Sequence, residues 1–280
     1  MQASSKQGSA LEVAVTRSIK AIDTEQPAGP QQLQDVVDQW GSSFNFIHAS
    51  AAFAKAAKLR YLEPMSAAGR ALLQSLAGTW TRVLPESDLQ GMANVLWASS
   101  KLQYADEQLW SSTLAAFVEQ LQQGRQEDSS CQEVSNVMYA LASAAAANSG
   151  HVPGVPRPEV EAIMSQLLAC MRVFVTHPRL EGVEPQQISN ALWGCAKLRI
   201  TTDDAAVNSL LQAMARPQML EAAAPQAISN TLWAVMELQQ HCGWQPRVEL
   251  RVWQRLLGEQ QLGRVADKDT PQGVRMPCWL

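Results

Sequence analysis

A segment of thirteen residues occurs twice in this chain with few changes. QQISNALWGCAKL (186–198) returns as QAISNTLWAVMEL (226–238), and a fainter copy covers residues 47–59. The related segments are anchored by Asn94, Asn136, Asn190 and Asn230, at intervals of 42, 54 and 40 residues. The longest interval contains a Gly- and Pro-rich stretch, 148–158, which is typical of a loop insertion. A period near 40 residues predicts stacked supersecondary units.

The units are predicted to be pairs of α-helices. Pro185, Pro225 and Pro271 fall where a motif helix would begin, a position at which the missing N–H costs little. Between the motifs, stretches such as 106–122 and 159–175 carry apolar residues at helical spacing, and β-strand alternation is nearly absent. One pair of this length buries too little apolar surface to be stable alone, so neighbouring pairs must share a core. We therefore expect an all-α fold, an α-solenoid of about five two-helix repeats stacked with a right-handed twist.

Helix starts are also indicated by capping signals. Ser87 with Gln90, and Ser130 with Glu133, have the spacing of capping boxes. Thr270 precedes Pro271 as an expected N-cap of a further motif helix.

The repeats divide the chain into three parts. Residues 1–29 are expected to form a partly flexible N-terminal segment, in which no clear transit peptide is visible. Residues 30–265 are predicted to form the solenoid, with the loop insertion at 148–158. Residues 266–280 match only the start of a further repeat, so we expect it to be truncated.

Composition restricts the classes of function. The net charge of −4 provides no overall positive field, so any nucleic-acid binding must rest on a local face. The five cysteines form no metal-ligand spacing, and no apolar run approaches the length of a membrane span. We expect a protein without metal, cofactor or membrane partner.

One side of the motif helix is polar and small. At 100° per residue, Asn190, Gly194 and Lys197 share an arc opposite the apolar Ile188 and Leu192. Such a stripe suits an extended polymer, because amides can bond bases or backbone, small residues allow close approach, lysines meet phosphates and flanking aromatics stack bases. The candidate RNA-binding residues are Asn94, Trp97, Lys101, Asn136, Tyr139, Gln187, Asn190, Trp193, Lys197, Asn230 and Trp233.

Each of these residue types also has a structural interpretation. The aromatics could be core between repeats, the asparagines could tie neighbouring helices together, and the lysines could be solvated charges near helix ends. Because Asn is the same in the four units that it anchors, base selectivity would have to come from a position that varies. The varying position comprises Gly91, Glu133, Gln187 and Ala227.

Catalysis is not indicated by any motif. No nucleophile triad, phosphate loop or paired-carboxylate arrangement occurs in a suitable context. We therefore expect no enzyme activity and no small-molecule substrate.

The repeated PQxISNxLWAxAKL segments resemble the octotricopeptide repeat proteins, which are organellar RNA factors related to FAST-kinase-like and RAP-domain proteins. The resemblance implies an α-solenoid that binds single-stranded mRNA or rRNA selectively in the chloroplast, or alternatively the mitochondrion. It implies a role in RNA processing, stability or translation, together with other proteins of an RNA-processing complex. The chain departs from the pattern at Tyr139, which replaces Trp, and at Ala51 and Ala54, which replace Asn and Trp; a RAP domain is also missing. A peptide-binding helical scaffold is the alternative, since other solenoids hold extended peptides with Asn and Trp.

Overall fold

The computed structural model describes residues 2–123, 129–177, 180–201 and 203–258, with only the backbone for 2–10. Within these ranges the chain is all-α, and no β-strand is present. The helices group into two compact units. Unit 1 comprises Met1–Ser129 and Ser143–Arg157, and unit 2 comprises Ser130–Ala142 and Pro158–Leu280.

Every motif copy in the described ranges forms a helix, as predicted. The motif helices are α3 (Phe46–Ala56), α5 (Leu89–Lys101), α7 (Cys131–Ala147), α9 (Pro185–Leu198) and α12 (Pro225–Cys242). The helices that follow them are α4 (Ala67–Val83), α6 (Glu107–Gln122), α8 (Arg157–Thr176), α10 (Asp204–Met214), α11 (Pro217–Ala222) and α13 (Leu250–Leu256). The expected repeat start at 266–280 lies outside the described residues.

An additional helix pair precedes the first motif copy. It consists of α1 (Gln2–Ala21) and α2 (Gly29–Trp40). Val15 and Ile19 of α1 are fully or almost fully buried, and α1 packs against α2 and α3. The N-terminal segment 1–29, which we expected to be partly flexible, is thus mostly helix. The loop insertion expected at 148–158 lies between α7 and α8 for residues 148–156, while its last two residues already belong to α8, which begins at Arg157.

Three of the predicted helix starts are confirmed and one is shifted. Pro185 and Pro225 open α9 and α12, and Ser130 and Glu133 exchange capping-box hydrogen bonds. The box predicted for Ser87 and Gln90 is wrong, because Asp88 caps α5 by accepting a bond of 2.7 Å from Gly91 N. The Ser87 hydroxyl instead donates to the Leu84 carbonyl. Thr270 and Pro271 lie outside the described residues.

Motif helices of successive repeats pack directly on each other within each unit. In unit 1, α1 contacts α3 and α3 contacts α5, while the following helices α2, α4 and α6 contact one another in the same order. In unit 2, α9 packs along α12. Helices that are one repeat apart therefore supply each other's apolar contacts.

Side-chain hydrogen bonds repeat this arrangement at the carboxyl ends of helices. Lys55 of α3 donates to the Ile22 carbonyl just after α1, at 3.0 Å. We call the helices that follow the motif helices, together with α2, the second helices. Side chains on or next to them donate to carbonyls at the end of the second helix one repeat earlier, and carbonyls at helix ends favour such donors. Those bonds run from Arg82 to the Gly41 and Phe44 carbonyls, from Gln120 to the Ser87 carbonyl, and from Arg216 to the Val175 and His177 carbonyls. The partners lie 33 to 41 residues apart, which is about one repeat.

A buried polar bond joins the second helices of unit 1. Trp80 of α4 is fully buried, and its indole Nε1 donates to the Thr113 hydroxyl of α6 at 2.9 Å. Thr113 is also fully buried, so water has no access to replace the acceptor. The indole N–H therefore depends on this hydroxyl.

We expect Thr113→Val to destabilise the protein by about 1–3 kcal/mol although it adds an apolar group, because the Trp80 N–H is left buried without an acceptor. The change keeps side-chain shape and β-branching. Urea unfolding followed by circular dichroism measures the effect. In a Trp80→Phe background the same substitution should cost far less, since both polar partners are then absent. An equal cost in the two backgrounds would show that the bond contributes nothing.

Candidate functional site

The asparagines of the motif helices lie at a half-buried position. Asn94, Asn136, Asn190 and Asn230 are each partly open to solvent. Asn190 Oδ1 accepts a bond of 2.8 Å from Gln186 Nε2 of its own helix. The amides of Asn94, Asn136 and Asn230 make no side-chain hydrogen bond with another described residue. The described contacts thus give these amides no role in tying helices together, and their donors and acceptors are available to water or to a ligand.

The small residue one turn after each asparagine is buried between helices. Ala98, Ala140 and Ala234 have no exposed surface, and Gly194 is buried as well. A Cβ atom on Gly194 would lie 3.0 Å from the Met138 carbonyl oxygen of α7, which is tighter than ordinary contact. The expectation that these residues let a polymer approach closely is therefore wrong. Gly194 instead allows the α9 backbone to approach α7 closely.

The position that we expected to provide base selectivity, namely Gly91, Glu133, Gln187 and Ala227, lies in the first turn of the motif helix. Gln187 is buried, and its Oε1 accepts a bond of 3.0 Å from Glu184 N. Glu133 makes the matching bond to Ser130 N, Gly91 N is bonded to the capping Asp88, and Ala227 is buried. The Glu133 and Gln187 side chains cap their own helices, so we leave Gln187 out of the candidate face.

In unit 2, the aromatic residues of successive motif helices are in contact. The rings of Tyr139 on α7 and Trp193 on α9 stack with centroids 5.1 Å apart and planes 25° apart. The ammonium of Lys197 lies 4.6 Å from the Trp233 ring centroid on α12 and 5.7 Å from the Trp193 centroid. All three rings are half-buried and Lys197 is exposed. We call these four side chains, Tyr139, Trp193, Lys197 and Trp233, the ladder.

The aromatic residues of the ladder are only in part the core residues between repeats that the structural interpretation expects. Each ring buries part of its surface between repeats, as inter-repeat core residues do, and leaves the rest accessible. The Lys197 ammonium has no carboxylate partner in the described part of the chain, so cation–π contacts hold it in place. Lys197 therefore differs from a helix-end charge that is surrounded only by water, because its ammonium lies near two aromatic rings.

In unit 1, the candidate residues lie on α5. Asn94 and Trp97 are half-buried and Lys101 is exposed, so all three side chains are accessible to solvent. Trp97 makes no ring or cation–π contact with another described residue.

Among the described residues, two observations bear on metal ligation and thiol reactivity. No group of His, Cys, Asp and Glu in the described ranges could hold a metal ion. Burial raises the pKa of the Cys131 and Cys195 thiols to about 12, with nearby Glu184 adding to the effect on Cys131. Both thiols are protonated at neutral pH and are therefore poor nucleophiles.

Comparison with models of known protein families and with curated protein sequences finds no match. The resemblance to octotricopeptide repeat proteins stays a prediction. Among the described helices, none has the length and apolar composition needed to cross a bilayer.

A glycine pair tests the close approach of α7 and α9. Gly78 of α4 has open space around a Cβ atom, so Gly78→Ala should stabilise the protein by about 1 kcal/mol through helix propensity. Gly194→Ala should lose that gain or destabilise, because the new methyl meets the Met138 carbonyl. Urea unfolding of both variants measures the difference. Equal stabilisation by the two substitutions would contradict the proposed packing role of Gly194.

Proposed function

We propose that the exposed side of the motif helices binds single-stranded RNA and that the protein acts without chemistry of its own. The observation that carries this proposal is the ladder of unit 2, where three aromatic rings and a lysine lie next to half-exposed asparagines. Such a surface combines the three contacts that single-stranded nucleic acids use, namely ring stacking, phosphate pairing and hydrogen bonds to base edges.

The roles follow from accessibility. Trp193 and Trp233 keep part of their surface accessible for bases, and Lys197 carries an exposed ammonium that can pair with a phosphate. The amides of Asn136 and Asn230 make no hydrogen bond with another residue that the structure describes. In unit 1, Asn94, Trp97 and Lys101 of α5 offer side chains of the same types and are proposed to make contacts of the same kinds. A local face of this kind allows binding despite the overall charge of −4.

The repeat order within each unit supports the α-solenoid that the sequence predicts. Helix packing and helix-end hydrogen bonds recur about one repeat apart in both units. In a solenoid, equivalent helices present equivalent side chains along one surface, which is the geometry that an extended RNA strand needs. The resemblance to octotricopeptide repeat proteins adds the biological setting: a chloroplast or mitochondrion, with organellar mRNA or rRNA as ligand and a role in processing, stability or translation.

A second candidate, a peptide-binding scaffold, is favoured by charge. The chain is acidic, and α12 carries Glu237 where α5 and α9 carry Lys101 and Lys197. Glu237 is half-buried, with its Oε2 3.5 Å from His241 Nε2. An extended basic peptide would complement this end of the face, and its binding would depend less on salt than that of RNA.

Salt-dependent binding distinguishes the two candidates. We expect affinity for a random pool of short single-stranded RNAs to fall steeply with salt in a filter-binding titration. Lys197→Ala should reduce the slope of log K against log salt by about 0.7, the increment for one lost phosphate contact. Asn190→Ala should lower affinity at every salt concentration without changing the slope.

Arg255→Ala is the matched control, because Arg255 is an exposed cation of unit 2 that lies on α13 and not on a motif helix. It should leave both affinity and slope unchanged. Equal binding by wild type and by the doubly substituted Asn190→Ala, Lys197→Ala protein would contradict the proposal.

A further inference from the structure

The two aromatic junctions of unit 2 differ in one respect that matters for ligand binding. Between α7 and α9 the Tyr139 and Trp193 rings are stacked on each other, so no third ring can lie between them without opening the contact. Between α9 and α12 the Trp193 and Trp233 rings make no ring contact with each other. The Lys197 ammonium lies near both of them.

We propose that the junction between Trp193 and Trp233 is a slot for one unpaired nucleobase and that Lys197 occupies it in the free protein. This inference rests on the proposed RNA binding and specifies where the chain takes up a base. The stacked junction between Tyr139 and Trp193 stays closed. Base insertion is therefore expected at one junction of unit 2 and not at the other.

The position of Lys197 makes such an exchange feasible. The lysine is one helical turn after Trp193 on α9, and its side chain reaches across to the Trp233 ring of α12. It is exposed and has no carboxylate partner among the described residues, so it can leave the rings without breaking an ion pair. Once displaced, the ammonium remains close enough to pair with the phosphate of the inserted nucleotide.

The expected contributions to binding favour a stacked base over the Lys197 ammonium at this junction. An exposed cation–π contact changes an equilibrium constant by about 2- to 5-fold, whereas stacking of a base on an aromatic side chain contributes about 5- to 150-fold. The exchanged lysine then adds a phosphate contact of its own. The position on α12 that corresponds to Lys197 is Glu237, so no second lysine of the motif competes for the slot.

Three substitutions test the slot. Trp233→Leu removes the ring, Trp233→Phe keeps an aromatic face, and Trp253→Leu is the control, since Trp253 is a half-buried tryptophan of unit 2 on α13. Each is titrated with a random pool of short single-stranded RNAs and with a matched sugar-phosphate oligomer that lacks bases. Thermal unfolding by circular dichroism identifies any variant that has lost its fold.

We expect wild type to prefer RNA over the baseless oligomer. Trp233→Leu should weaken RNA binding by about 5- to 150-fold and abolish that preference, while Trp233→Phe retains most of it and Trp253→Leu changes neither. If Trp233→Leu binds RNA as wild type does, or if wild type binds both oligomers equally, the slot is overturned and RNA binding stands. If wild type binds no RNA, the proposed function fails and the slot with it.

Discussion

The packing of each motif helix against the motif helix one repeat away is the interaction on which the rest of the structure depends. It brings α3 onto α5 and α9 onto α12, and it allows the α9 backbone at Gly194 to approach the α7 carbonyl of Met138. A single pair of short helices buries too little apolar surface to be stable, so the neighbour supplies the missing part of the core. The helix-end bonds from Lys55, Arg82 and Arg216 then fix the offset of one pair on the next, because each reaches carbonyls about one repeat earlier.

This packing also determines what the motif helix can offer a ligand. The small residue one turn after the asparagine is buried in each motif helix with that asparagine, and the third residue of α7 and of α9 caps its own helix. What remains accessible is the asparagine, the flanking aromatic and the residue one turn beyond it. In unit 2 the same close approach that buries Gly194 brings Tyr139 and Trp193 into a stack and places Lys197 over Trp233. The candidate site is thus a consequence of how the repeats pack.

The sequence predicted the elements far better than the contacts between them. Motif period, helical spacing of apolar residues and the prolines at 185 and 225 located the helices, because these signals act within one segment.

The α1/α2 pair was not identified as a repeat, since it carries no copy of the motif. The cap of α5 was placed one residue early, because Ser87 and Asp88 both fit an N-cap and only the fold shows which one faces the Gly91 N–H. A helical wheel gives the angular positions of Gly194 and Gln187 on their helix, but it does not show what these residues contact. It therefore could not distinguish an arc that faces a ligand from an arc that faces another part of the protein. The ring stack depends on side-chain directions across two helices, for which a single sequence carries no signal.

The most direct test of the account is the location of RNA contacts on the protein. Photocrosslinking to single-stranded RNA that carries a photoreactive uridine analogue, followed by mass spectrometry of the crosslinked peptides, reports which residues touch the strand. We expect crosslinks in α9 and α12 at or beside Trp193, Lys197 and Trp233, and a strong loss of those crosslinks when salt is raised. Crosslinks confined to the second helices α8, α10 and α13 would contradict it.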